Sequence, residues 1–105
     1  MANTPPGSGP YGTGVFVGTA SQQIIGPRLN RKQLTFHNPS SVNIAICPAQ
    51  DSNGNALAAV VNGAGSITLF SGGSFTLPEN NAGCGGAFNG AAASGTQPLT
   101  IWEWL

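Results

Sequence analysis

The chain has 105 residues, enough for one domain with a single small core, and only six are charged: Arg28, Arg31, Lys32, Asp51, Glu79 and Glu103. An average soluble domain is about a quarter charged, whereas this chain has a formal net charge of zero and a surface of neutral polar residues and glycine; such a surface presses against other protein without desolvating charge. Sixteen Gly and eight Pro exclude long helices, since each costs about 1 to 3 kcal/mol inside one, and no apolar run approaches the ~18 residues of a membrane span.

Residues 1–14, MANTPPGSGPYGTG, read as a flexible Pro/Gly/Ser-rich arm with Tyr11 as its only sizeable apolar side chain. The segment lacks the basic and apolar regions of a signal peptide, so the expected place of synthesis and folding is a cytoplasm. Regular structure is expected from Val15-Phe16-Val17, with residues 15–105 as one domain. Gln22 to Ile25 is extended up to the break at Gly26-Pro27. Lys32 to Asn38 alternates polar and apolar, which places Leu34 and Phe36 on one face of a strand. Asn38-Pro39-Ser40-Ser41 is a turn. The next strand points Val42, Ile44 and Ile46 inward and Asn43 and Ala45 outward, and Pro48 ends it.

Asp51 to Asn55 is a turn, Ala56 to Val61 a strand, and Asn62-Gly63 a hairpin signal. Ser66 to Phe70 and Ser74 to Leu77 alternate on either side of Gly72-Gly73. Pro78 to Gln97 is almost entirely small residues, long for a loop, with room for a short strand near Ala87-Phe88. Thr96 to Leu105 is the last strand. Six to eight short strands and no helix predict an all-β fold, a small antiparallel β-sandwich (jelly-roll-like) or barrel. Its core is expected to be Leu34, Phe36, Ile44, Ile46, Ile67, Leu69, Phe75, Leu77, Leu99 and Ile101.

Catalysis needs converging ionisable groups, and Asp51, Glu79 and Glu103 stand in separate segments. No nucleophile elbow, phosphate loop or His-Glu-x-x-His occurs. Cys47, Cys84 and His37 are three scattered donors against the four that tetrahedral zinc takes, so neither metal nor cofactor is expected. For the cysteines two readings stay open. They are two thiols, Cys47 half-buried in a strand and Cys84 in a glycine loop, or they form a bridge after release from the cell, which would add roughly 3 to 4 kcal/mol if it closed the 47–84 loop. His37 reads as a surface or edge-strand residue. Arg28, Arg31 and Lys32 read first as a solvated loop and second as a contact with an acidic patch on a partner; three charges neutralise too few phosphates for nucleic acid. Trp102 and Trp104 share a strand face and either fill a core or protein interface, or stack on a sugar ring.

The stretch Asn30-Arg31-Lys32-Gln33-Leu34-Thr35-Phe36-His37-Asn38 opens a longer pattern. A turn follows, then Asn43-Ile44-Ala45-Ile46-Cys47, the hairpin Gly63-Ala64-Gly65-Ser66-Ile67-Thr68-Leu69, and the closing strand Leu99-Thr100-Ile101-Trp102-Glu103-Trp104. In this order the pieces resemble small β-sandwich virion proteins of tailed bacteriophages, over about residues 22–105. The resemblance implies a non-catalytic role as a capsid decoration (cement) protein stabilising the phage head, or as a neck, tail or spike component. It also implies a pairing of Arg31 with Glu103. The expected partners are the major capsid protein or other virion proteins and further copies of the chain, a trimer suiting local three-fold positions. Nucleic acid and membrane are not expected partners. The expected location is the virion, after synthesis in the host bacterial cytoplasm. A carbohydrate-binding module using Trp102 and Trp104 is the alternative from another class.

Overall fold

Alternation at period two gives each extended segment one apolar face, and two such layers bury those faces against each other. The computed structural model, which describes residues 10–77 and 82–105, contains eight strands. They are β1 (Pro10–Val17), β2 (Gln22–Ile25), β3 (Gln33–His37), β4 (Ile44–Pro48), β5 (Ile67–Leu69), β6 (Ser74–Leu77), β7 (Phe88–Ala92) and β8 (Gln97–Trp104), with a 3-10 turn at Ala82–Gly85. One sheet has the order β1-β8-β3-β6 and the other β2-β7-β4-β5, every neighbouring pair antiparallel. The partners nest: β1 with β8, β2 with β7, β3 with β6, β4 with β5. The chain is therefore one long antiparallel ribbon rolled so that alternate segments fall in opposite sheets. That is the jelly-roll arrangement, and it makes the molecule a sandwich rather than a barrel.

Between the sheets lie Leu34 and Phe36 from β3, Ile44 and Ile46 from β4, Leu69 from β5, and Leu99 and Ile101 from β8, joined by Val17, Ile24, Phe88 and Ala92. The Phe36 and Phe88 rings meet at 5.1 Å between centroids, tilted 53°. Phe75 and Leu77 pack against this core half-buried. Ile67 faces Ile46 but sits on an edge strand, and 40 % of it stays exposed, so it is a rim residue rather than a core one. The turn after β3 is fixed by Asn38, which is fully buried. Its side-chain amide donates to the carbonyls of Val42 at 2.8 Å and Leu69 at 2.9 Å, while its oxygen accepts from the backbone and hydroxyl of Ser40.

Three further expectations are corrected. Strand β1 begins at Pro10, not Val15, because Pro10–Gly14 pair with Trp104–Thr100 of β8 in unbroken register; of the expected arm, residues 1–9 lie outside the described residues. Ala45 does not face solvent. With Cys47 and Ala91 it forms a second apolar cluster on the outer side of its sheet, covered by Leu57, Ala59 and Val61. The covering segment alternates buried and exposed residues, but it is not the strand expected over Ala56 to Val61. Beyond one bridge between Gln50 and Ala56, side-chain hydroxyls satisfy its amides: Ser21 for Ala59, Ser66 for Val60, Thr68 for Asn62. The room for a short strand near Ala87-Phe88 is taken by β7 (Phe88–Ala92), which lies between β2 and β4. Gly90 and the alanines suit this place because a Cβ at Gly90 would stand 3.1 Å from Ile24 Cγ2.

Candidate interaction surface

All charged residues among those described gather at one end of the sandwich. Arg31 and Lys32 precede β3, and the Lys32 amide donates to the Trp104 carbonyl at the end of β8. Arg31 is not solvated. It is 5 % exposed, and its guanidinium donates to Glu103 Oε1 at 3.0 Å, to the carbonyls of Cys84 at 2.7 Å and Gly86 at 3.0 Å, and to Gly26 at 2.8 Å. Glu103 is 6 % exposed and points inward from β8, with Arg28 a looser 3.7 Å neighbour. The Arg31–Glu103 pairing therefore exists, and it ties the backbone at Gly26 and the Cys84–Gly86 loop to β8. Such a network leaves Arg31 unable to reach a partner, so the contact surface expected of Arg28, Arg31 and Lys32 reduces to Arg28 and Lys32, which flank a Leu29 that is 96 % exposed.

Asp51 lies at the same end, where a recess of about 470 Å³ is lined by Gln23, Pro27, Pro48, Gln50, Asp51 and Gly86 among others. Its carboxylate accepts the amides of Asn53 and Asn55, both at 2.9 Å, and the Asn55 side chain, and these bonds hold its pKa below the usual value. The carboxylate thus closes its own turn. Among the described residues no three His, Cys, Asp or Glu side chains converge as a metal cluster.

The outer face of the β1-β8-β3-β6 sheet carries the tryptophans. Trp102 and Trp104 alternate with the inward Leu99, Ile101 and Glu103, and their ring centroids are 6.5 Å apart at 36°. A Cβ built on Gly12 would meet three atoms of the Trp102 six-membered ring at 3.0 to 3.3 Å, so the ring lies over the glycine. The tryptophan covers backbone that glycine leaves bare while remaining 40 % exposed. Beside it, Thr35 and Thr76 share a hydrogen bond at 2.9 Å, and His37 Nδ1 bonds the Ser74 hydroxyl at 2.7 Å. His37 is half-buried on an interior strand, not at an edge. Among the described residues no Lys, Arg, Asp or Glu side chain lies on this face.

Cys47 and Cys84 are buried thiols, each about 1 % exposed. Cys47 lies in the outer cluster of the β2-β7-β4-β5 sheet, and burial raises its pKa; the Cys84 thiol faces the Leu77 carbonyl at 3.9 Å. The two thiols are not bridged here, and neither is exposed for a bridge to another chain.

No family model matches the chain, and neither characterised proteins nor solved structures yield a match. Two contributors to the surface escaped the sequence reading: Gly12, whose role depends on the β1–β8 register, and Leu29, which lies in a loop without periodicity. Gly12 opposite Trp102 is a signal only once those two segments are known to pair.

Proposed function

We propose that this chain is a non-catalytic virion structural protein. In this reading it is a decoration protein that binds the major capsid protein on the outside of a tailed-bacteriophage head as a homo-oligomer, after synthesis in the host bacterial cytoplasm. The motif order across residues 22–105 supports it. So does the jelly roll, an architecture that viral capsid proteins and lectins both use, though that support is fold-level analogy. The observation that carries most weight is the charge distribution. The described charges are confined to one end and Arg31 and Glu103 neutralise each other there, so both sheet faces and the opposite turns can be buried against protein without stranding a charge. A place in the neck, tail or spike is the same reading at another position on the particle.

A second reading rests on the Trp102 ring, one face of which lies on Gly12 while the side chain stays part-exposed beside a row of hydroxyls. A flat aromatic platform with neutral hydrogen-bonding groups suits a neutral sugar. Co-sedimentation of the purified protein with undecorated heads, beside a glycan array, separates the two. The first reading expects stoichiometric binding to heads and a blank array. Sugar binding that disappears in Trp102→Ala, without co-sedimentation, would overturn it in favour of the second.

A further inference from the structure

The β1 edge is unusual in what it lacks. Sheet edges are normally protected by charged side chains, bulges, short length or covering segments. β1 runs for eight residues without a charge, pairs with β8 without a bulge, and has no strand on its other side among the described residues. Which of its backbone groups face outward follows from one contact: the Gln22 side-chain amide reaches the Phe16 carbonyl at 3.3 Å from the opposite sheet. In an antiparallel strand the N–H and C=O of one residue point to the same side, and that side alternates along the chain. Phe16 therefore faces away from β8, and so do Gly14, Gly12 and Pro10. At the middle of the edge the outward groups belong to two exposed glycines, with no side chain between them and an approaching strand.

We propose that β1 pairs with β1 of a second copy, antiparallel about a two-fold axis at Thr13, joining two four-stranded sheets into one of eight strands. Side chains keep to their own face only if paired residue numbers sum to an even value, and hydrogen-bond matching selects the register centred on Thr13. In that register Gly12 and Gly14 exchange both backbone bonds with Gly14 and Gly12 of the second copy. Phe16 lies opposite Pro10. Proline has no N–H to donate, and the Phe16 carbonyl opposite is the acceptor already taken by Gln22; the remaining Phe16 N–H finds the Pro10 carbonyl. Donors and acceptors match along the whole interface. The shift that centres the axis on Gly14 instead sets the Gly12 N–H against the occupied Phe16 carbonyl. On the inner side the pairing places Tyr11 opposite Val15 and Thr13 opposite Thr13, all without charge, so the two copies meet with no like-charge repulsion. A Cβ at Gly14 would meet nothing within 4 Å, which leaves that strip of the outer face open to a neighbour.

This pairing joins copies two by two, in place of the three-fold association expected from the sequence, and it holds whether or not the protein belongs to a virion. Analytical ultracentrifugation of the full chain is expected to show a monomer–dimer equilibrium. Gly14→Pro removes an outward N–H and no bond to β8, so it is expected to weaken the dimer by about tenfold or more with an unchanged β spectrum. Thr13→Cys supplies a readout that does not depend on proline being tolerated. Directly opposed residues of a non-hydrogen-bonded antiparallel pair have Cα atoms about 4.5 Å apart, within disulfide range. Mild oxidation should therefore link Thr13→Cys chains in pairs while Gly14→Cys chains stay unlinked. A wild-type chain that sediments as a monomer at every concentration, a dimer equally tight in Gly14→Pro, or Thr13→Cys chains that do not cross-link would each overturn the proposal.

Discussion

At the scale of single residues, the buried guanidinium of Arg31 gathers four hydrogen bonds. It satisfies the buried Glu103 carboxylate and the carbonyls of Gly26, Cys84 and Gly86. Replacing it strands those acceptors, and removing one member of a buried pair costs about 3 to 5 kcal/mol. Arg31→Met is expected to lower unfolding free energy by that amount in urea titrations, whereas exposed ion pairs contribute at most about 1 kcal/mol. A loss within that smaller range would mean that the pair behaves as a surface bridge. Asp51 gives the pH dependence. Its folded pKa is lowered from 3.8 by the amides it accepts, so its contribution is complete above the unfolded value and disappears as pH falls through the lower folded one. The amide resonances of Asn53 and Asn55 should shift only in that acidic range, and Asp51→Asn should abolish the shift.

At the scale of elements, β1 belongs to the fold. Deleting residues 1–9 leaves all eight described strands and gives the reference melting temperature. Deleting residues 1–14 strips Pro10–Gly14 from β8 and bares a strand that is interior in the intact sheet, so melting is expected markedly earlier. Equal melting of the two truncations would contradict this account of β1. Those five residues were illegible in the sequence because Tyr11 alone among Pro, Gly and Thr makes no apolar alternation; their partner, the strongly alternating β8, supplies the order. β7 was legible only as room for a short strand near Ala87-Phe88, for a related reason. A central strand under a tight cover is selected for small side chains, and Gly90-Ala91-Ala92 resembles loop composition. Where apolar alternation is strong, as in Leu34/Phe36, Ile44/Ile46 and Leu99/Ile101, strand, inward face and core were all legible. The Arg31–Glu103 pair was legible only through the resemblance, since 72 positions separate its members.

At the scale of the whole molecule, the neutral faces decide how attachment to a particle should respond to solvent. Contacts dominated by apolar burial and neutral hydrogen bonds are little screened, although the Debye length falls from about 10 Å at 0.1 M salt to about 3 Å at 1 M. Urea weakens both apolar burial and peptide hydrogen bonding. The protein is therefore expected to stay on particles in molar sodium chloride and to leave them in urea. Steep release between 0.1 and 1 M salt, reproduced by neutralising Arg28 and Lys32, would instead mean that the charged end holds the protein.

The virion reading is tested most directly by quantitative mass spectrometry of purified phage particles, with the abundance of this chain measured against the major capsid protein. A decoration protein is expected in a fixed ratio to the shell subunit and depleted from particles stripped with urea. A ratio corresponding to a single ring of copies would move the protein to the neck or tail, and its absence from purified particles would contradict a virion role altogether.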